Sequence, residues 1–192
     1  MQEPVLSLPR WLRELNDERR RFASLTEAME FVLDAVARNC GASAEGEGGA
    51  KTGWGGPFGA AVVDADLNLV ALGVNRVVPS GASIYHAEMV ALLLAQQRLG
   101  SHDLGAHGDH TLVTSCAPCA MCLGAIPFAG IRRVICGARG EDAEAIGFDE
   151  GDKPDRWADR LRARGIAVEE DLCRERAVAA FAAYRDGGGA VY

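Results

Sequence analysis

Apolar positions along the chain follow two spacings in turn, and this alternation predicts an α/β protein. Short, mostly apolar runs bounded by Gly, Asp or Pro are typical of buried strands, whereas apolar residues spaced three and four apart indicate amphipathic helices. Strands that alternate with helices predict a three-layer α/β domain. The predicted strands are 59–63, 67–74, 111–115, 132–137 and 166–169, and the predicted helices are 8–21, 24–39, 86–99, 119–129, 154–164 and 172–184.

A glycine-, alanine- and glutamate-rich stretch over 41–56 interrupts this pattern and predicts a loop. We place a boundary within this loop, after residue 54. Residues 1–54 contain two helices that are expected to pack on the core, and residues 55–192 contain all the predicted strands. Because 192 residues suit one domain of ordinary size, we expect a single domain overall.

The charge of the chain bears on its partners. Its formal net charge is −7 and its pI is about 5.1, whereas a protein that neutralises nucleic-acid phosphates needs a basic face. Arginines cluster at 19–21, 132–133 and 160–164, but acids surround most of them, so solvated helix faces are the favoured interpretation. We therefore expect a small-molecule substrate and no nucleic-acid partner.

Cysteine usage and the lack of long apolar runs bear on location. Three of the six cysteines lie within seven residues, and the other three fall in ordinary helix or strand, which favours a reducing compartment over a disulfide framework. The first residues lack the apolar core of a signal peptide, and no stretch of 18 apolar residues occurs. The expectation is a cytoplasmic protein with no membrane partner.

Two short motifs carry the candidate chemistry, His86-Ala87-Glu88 and Pro118-Cys119-Ala120-Met121-Cys122. One imidazole and two thiols are a ligand set for zinc, and a catalytic zinc keeps three protein ligands and leaves the fourth position to water. Spaced three apart at a helix start, Cys119 and Cys122 lie on one face, where the helix N-terminus favours thiolates. Glu88, which is not needed as a ligand, is the expected acid and base.

Other interpretations of these motifs stay open at this point. A lone CxxC could be a redox pair or half of a structural zinc site, and Cys116 as a fourth sulfur would close the site. Three further histidines, at 102, 107 and 110, are rival ligands that we expect to be exposed.

The order H-x-E then P-C-x-x-C is the signature of the zinc nucleobase deaminases. From Gly55 onward the sequence resembles the cytidine deaminase-like superfamily, and within it the guanine deaminase branch. The resemblance implies an α/β/α fold with a five-stranded mixed central sheet. Beyond the zinc ligands it is carried by Pro57-Phe58-Gly59-Ala60, by Asn75 in Gly-Val-Asn-Arg, by the stretch from Glu144 to Asp149 and by the C-terminal Tyr192.

The resemblance implies a role for each of these residues. Phe58 packs on the purine, Asn75 hydrogen-bonds the base, and an acid at or beside Glu144 assists proton transfer. Tyr192 falls where that branch has an aromatic residue that closes a partner subunit's pocket in a homodimer with swapped C-terminal segments. Residues 55–192 are then a zinc-dependent deaminase domain.

The implied reaction is hydrolytic deamination of guanine to xanthine and ammonia. Zinc on His86, Cys119 and Cys122 activates water, and Glu88 shuttles its proton. Two departures bear on the substrate: Ala117 stands where the family usually has Glu, and Ile84-Tyr85 stand where it has a small pair. The alternatives are another amino-heterocycle, such as cytosine, cytidine, guanosine, a triazine or a tRNA adenosine, and, more remotely, a non-catalytic zinc-binding module.

Overall fold

The structure, a computed structural model, describes residues 6–41 and 55–192. Its sheet has five strands in the order β2-β1-β3-β4-β5. β1 is antiparallel to both neighbours, whereas β3, β4 and β5 run parallel. The predicted five-stranded mixed sheet is therefore confirmed. The strands are β1 (Gly59–Val63), β2 (Leu69–Val74), β3 (Thr111–Cys116), β4 (Arg133–Ala138) and β5 (Ala167–Glu169).

Helices cover both faces of this sheet and complete the α/β/α architecture. Alternate residues of β1 enter two separate cores, Ala61 and Val63 on one face and Ala60 and Val62 on the other. The first core packs against α1, α2 and α8, and the second against α4, α5 and α7. The helices are α1 (Arg10–Asp17), α2 (Leu25–Asn39), α3 (Val77–Ser80), α4 (Ala87–Leu99), α5 (Ala120–Phe128), α6 (Gly140–Glu144), α7 (Trp157–Arg162) and α8 (Arg174–Asp186).

The first predicted helix, 8–21, is wrong at its C-terminal end. Helix α1 ends at Asp17, and the chain then forms an isolated antiparallel bridge between Arg21 and Asn68 beside the start of β2. Pairing with the β1–β2 turn satisfies backbone groups there, which overrides the local helical spacing. For the same reason β2 begins at Leu69 and not at Leu67, which has a positive φ of 63°.

Three short elements lie in stretches that the sequence pattern assigned to loops. Helices α3 and α6 span only four and five residues, and a 3₁₀ turn covers Leu104–His107. Elements of one turn show no measurable hydrophobic period, so the pattern could not reveal them. Of the three histidines expected to be exposed, His110 is buried, with its Nδ1 3.0 Å from the carbonyl oxygen of Gly108.

The N-terminal helices α1 and α2 belong to the core that also contains β1, β2 and β3. The predicted loop 41–56 falls mostly outside the described residues, and the division of the chain at residue 54 stays a prediction. All six cysteines are free thiols. Within the described ranges, every helix is too short or too polar to traverse a lipid bilayer.

Candidate active site

The first two predicted metal ligands occupy the same position on two different helices. His86 is the N-cap of α4 and Cys119 is the N-cap of α5, and both residues have extended backbone conformations. Each helix thus begins one residue later than predicted, so these ligands precede the first turns instead of lying in them. Cys122 lies in the first turn of α5. The two helix N-termini, with their partial positive charge, meet at the metal ligands and favour anionic sulfur there.

Helix α4 is fixed against the sheet by a close approach at Gly73. A Cβ at position 73 would lie 2.4 Å from both the carbonyl oxygen of Ala87 and the backbone nitrogen of Ala91. Only glycine allows this contact, which sets the first turn of α4 directly on β2. The height of His86 and Glu88 above the sheet therefore depends on Gly73.

The side chains of His86, Cys119 and Cys122 converge on one point. Their ligand atoms lie within 4.8 Å of one another, and Cys119 Sγ is 3.5 Å from His86 Nδ1. Tetrahedral bonds of about 2.3 Å to sulfur and 2.0 Å to nitrogen place those two atoms about 3.5 Å apart. The donor set and its spacing therefore fit zinc. Among the described residues, this is the one cluster of three groups able to hold a metal ion.

Cys116 lies apart from the three ligands, which bears on the closed-site alternative. Its buried thiol donates a hydrogen bond of 3.4 Å to the carbonyl oxygen of Arg139. With Cys116 engaged elsewhere, the site has three protein ligands, the number typical of catalytic zinc and not of structural zinc.

A hydrogen bond between the two thiols favours the negative charge on Cys119 over Cys122. The bond between them lowers the pKa of Cys119 to about 4 and raises that of Cys122, which burial raises further. Burial lowers the pKa of His86, but its bond to Cys119 and the charge of Glu88 outweigh burial and raise that pKa overall. The ground state of Cys119 is thus a thiolate, the form that binds zinc.

Glu88 is the buried carboxylate beside these ligands. Only 6% of the residue is exposed, and the hydroxyl of Thr114 in β3 lies 3.4 Å from its Oε1 as a donor. Burial, and then the negative charge of Cys119, raise the pKa of Glu88 to about 7. The carboxyl therefore lies at the metal centre without being needed as a ligand.

Asn75 connects the metal pocket to the C-terminus of the chain. It is 1% exposed, and its Oδ1 accepts hydrogen bonds from the backbone nitrogens of Gly56 and Val77, at 3.3 and 3.2 Å, and from the Tyr192 hydroxyl at 2.6 Å. Three donors on Oδ1 fix the orientation of the amide. The Nδ2 group, with its two donors, is then the part of Asn75 suited to a ligand.

Aromatic residues form one wall next to Asn75. Phe148 contacts Phe58 edge to face at 4.9 Å between ring centroids and Tyr192 in the same manner at 5.4 Å. The backbone of Phe58 accepts a hydrogen bond of 3.0 Å from the nitrogen of Asn75. The structure thus brings Phe58, Asn75 and Tyr192 together. Phe148, the buried ring between the two outer aromatics, lies in the stretch from Glu144 to Asp149, but no role was predicted for it from the sequence.

Of the acids in the stretch 141–150, Glu150 and not Glu144 is buried near the metal ligands. Glu144 ends α6 and is exposed, whereas Glu150 is 7% exposed. The carbonyl oxygen of Glu150 accepts a 2.9 Å bond from the backbone nitrogen of Ala120, the residue after Cys119. Burial raises the pKa of Glu150, the ammonium of Lys153 opposes this, and the charge of Cys119 adds to it. The sequence shows several acids here but not which one the fold buries.

Comparison with known proteins agrees with this geometry. The family model described as the cytidine and deoxycytidylate deaminase zinc-binding region matches residues 38–138, which include all three metal ligands. The guanine deaminase of Bacillus subtilis is 43% identical over 102 residues, which is 53% of this chain and 63% of that protein. The chain thus spans less than two thirds of that relative's length.

Solved structures extend the likeness over nearly the whole chain. The structure of guanine deaminase from Nitrosomonas europaea superposes with a TM-score of 0.87 at 42% identity, covering 97% of this chain and 98% of that chain. The structure of a protein designated NE0047, in complex with 2,6-diaminopurine, has a TM-score of 0.88 at 43% identity and covers 98% and 95% of the two chains.

Proposed function

Since the chain belongs to the cytidine and deoxycytidylate deaminase zinc-binding family, we propose that it is a zinc-dependent hydrolase that deaminates guanine to xanthine and ammonia. One observation carries the activity: among the described residues, a cluster of three convergent metal ligands lies beside the buried carboxylate of Glu88, which is not part of that cluster. The likeness to guanine deaminase from Nitrosomonas europaea over 97% of the chain supports the choice of guanine.

The residues of the site divide the reaction between them. His86, Cys119 and Cys122 would hold a zinc ion, which would act as a Lewis acid and lower the pKa of water towards about 7. Glu88 takes a proton from the attacking water and passes it to the ring nitrogen beside the amino-bearing carbon. It then takes the remaining proton from the attacking oxygen and delivers it to the amino group, so that the carbon–nitrogen bond breaks, the new carbonyl forms and ammonia leaves. The Thr114 hydroxyl, which donates to Glu88, holds the carboxylate in place during these transfers.

The substrate binds against the wall formed by Phe58, Asn75, Phe148 and Tyr192. The Nδ2 group of Asn75 donates to an acceptor atom of the base, because Oδ1 is already engaged by the protein. An aromatic wall offers a purine ring both stacking and edge contacts. The complex of NE0047 with 2,6-diaminopurine supports a purine with an amino group at C2.

A second acid, near the metal ligands, is proposed to assist proton delivery. Glu144 was the residue predicted from the sequence, together with any acid beside it. The burial of Glu150 and its bond to Ala120 favour Glu150 for this role. Exchange of each residue for Gln separates the two: loss of turnover in E150Q but not in E144Q supports Glu150.

Other amino-heterocycles are separated from guanine by a panel assay. The zinc-loaded protein is incubated with guanine, guanosine, cytosine, cytidine, adenine and the triazine ammeline, and ammonia release and product mass are followed. Guanine is expected to give the highest kcat/KM. Ala117 is buried and Tyr85 is half-buried, and both adjoin the metal ligands in the sequence. If the protein prefers a heterocycle other than guanine, we would attribute that preference to these two positions. A preference for any other ring would overturn the guanine assignment while retaining the deaminase.

We also propose that the protein forms a homodimer with swapped C-terminal segments and that it is located in the cytoplasm. Within the single chain, Tyr192 contacts Asn75 of the same molecule. A complementation assay distinguishes the two arrangements. One chain carries E88Q with an intact C-terminus, and the other lacks Tyr192 but keeps Glu88. Mixing them raises activity above the sum of the separate chains only if Tyr192 closes the partner's pocket.

A further inference from the structure

A buried ion pair lies behind the second acid of the proposed active site. The ammonium of Lys153 is 3.2 Å from Oε2 of Glu150, and the two side chains are only 11% and 8% exposed. The remaining ion pairs between described residues are all made by arginine, and in each of them at least one side chain is more than one third exposed. The enclosed pair is thus the exception in a chain whose 20 basic residues include only two lysines.

Two neighbours, Trp157 and Gly140, flank the Lys153 ammonium where it meets Glu150. The Lys153 nitrogen lies 5.0 Å from the ring centroid of Trp157, a favourable distance for a cation over an indole. On another side, a Cβ at Gly140 would lie 3.1 Å from that nitrogen and 3.4 Å from the Glu150 carboxylate. The absence of a side chain at Gly140 therefore leaves the space that the pair occupies.

The pair lies at the edge of a polar cavity of about 550 Å³. Glu150 and Lys153 line this cavity together with Ala117, the residue before Pro118 and Cys119. On its other side Glu150 is tied through its carbonyl oxygen to Ala120 at the start of α5. Because Glu150 lines this cavity, its carboxylate has space to rotate into it, and the ion pair with the Lys153 ammonium opposes that rotation.

We propose that Lys153 is a positioning residue that holds the Glu150 carboxylate in the wall of the metal pocket for the deamination step. Lysine suits this task because its ammonium is a compact positive charge with three hydrogen-bond donors. The inference rests on the proposed function, since Glu150 must act on the bound substrate for its position to matter.

A double-mutant cycle tests whether Lys153 acts through Glu150. Zinc-loaded K153M, E150Q and K153M/E150Q are compared with the unmodified protein, using whichever heterocycle of the panel is turned over fastest. K153M is expected to lower kcat by about 10- to 100-fold with little change in KM, as for a misplaced catalytic group. In the E150Q background, K153M should lower kcat by less than about threefold, because the carboxylate that Lys153 positions is already absent.

Two further variants separate positioning from folding and from net charge. K153R keeps the cation, and the adjoining cavity has room for its guanidinium, so it should recover most of the lost kcat. R156M removes one positive charge from the same cavity without touching Glu150, since Arg156 pairs with Asp159, and its kcat should stay within about twofold of the unmodified protein. Zinc content and melting temperature are measured for every variant.

The outcomes distinguish this inference from the proposed function. Additive losses in the cycle, an R156M defect as large as that of K153M, or a K153M variant with unmodified kcat would each overturn the positioning role while deamination stands. If the unmodified protein turns over no heterocycle of the panel, the proposed function and this inference fall together. Losses of kcat that are not additive in the cycle, together with recovery of kcat in K153R, would establish that Lys153 positions Glu150.

Discussion

The hydroxyl of Tyr192, the last residue of the chain, donates a hydrogen bond of 2.6 Å to Oδ1 of Asn75, a residue that directly follows β2. The contact places the C-terminal segment against the wall formed by Phe58 and Phe148. A Cβ at Gly56 would lie 2.5 Å from the same hydroxyl, so this closure also requires a glycine in the stretch before β1. Three distant parts of the chain thus meet at one polar atom.

Tyr192→Phe removes this hydrogen bond and keeps the ring against Phe148. A net hydrogen bond is worth about 0.5–1.5 kcal/mol, so we expect KM for guanine to rise about 2- to 10-fold with little change in kcat. Steady-state kinetics on the zinc-loaded variant measure this. A variant with unchanged KM would show that Tyr192 does not help to close the pocket over substrate.

Asn75→Asp separates the two ends of the amide. The new side chain keeps an acceptor for Gly56, Val77 and Tyr192 but loses the two Nδ2 donors. We expect the fold and the zinc content to persist while KM for guanine rises by roughly 10- to 100-fold, the cost of about 1–3 kcal/mol for a lost donor in a desolvated site. Equal KM values for the variant and the unmodified protein would remove Asn75 from substrate recognition.

Cys119→Ser and Cys116→Ser form a matched pair of thiol exchanges only three residues apart. The first removes one of the three metal ligands, so we expect zinc content and activity to fall together. The second alters a thiol that bonds to the carbonyl of Arg139, so zinc should stay at one ion per chain. Metal analysis of both purified variants checks this. Loss of zinc in C116S would instead indicate a structural site that Cys116 closes as a fourth ligand.

The metal ligands could be identified from the sequence because their chemistry is local. His86 and Glu88 are separated by one residue and Cys119 and Cys122 by two, and a helix start after each motif limits where these side chains can point. The five strands were predicted for a similar reason, since each is a short apolar run with polar ends. The identity of the ligands and the positions of the strands along the chain thus followed from short-range pattern.

Other parts of the site depend on long-range packing and could not be predicted. Which acid of the stretch 141–150 is buried depends on where Lys153 and Trp157 lie, whereas the resemblance indicated only an acid at or beside Glu144. The early end of α1 depends on the pairing of Arg21 with Asn68, 47 residues away. The role of Phe148 as the ring between Phe58 and Tyr192 requires three segments to meet, which no local period encodes.

Asp142 provides a test of how the acidic stretch is anchored. Its carboxylate accepts two hydrogen bonds from Arg174, at 2.7 and 2.9 Å, and one of 2.8 Å from the backbone nitrogen of Arg139 at the start of α6. The bond to Arg174 lowers the pKa of Asp142 below its ordinary value. The interaction therefore stabilises the fold above the unfolded-state pKa of about 3.9 and is lost as the pH falls through the folded-state pKa.

Asp142→Asn is expected to lower the free energy of unfolding by about 1 kcal/mol near neutral pH. The difference between the variant and the unmodified protein should be constant above about pH 5 and shrink below about pH 4, where the unmodified carboxyl is also protonated. Urea unfolding at several pH values measures this. A difference that grows towards acid pH would contradict the assigned ion pair.

The central claim is that a three-liganded zinc and the free carboxylate of Glu88 together deaminate guanine. The most direct measurement follows xanthine and ammonia from guanine with the zinc-loaded protein and with Glu88→Gln at matched zinc content. We expect the two products in equal amounts from the unmodified protein, and a rate about 10²- to 10⁴-fold lower from E88Q with its zinc retained. Zinc-loaded protein that forms no xanthine, or an E88Q variant that works at the unmodified rate, would contradict the account.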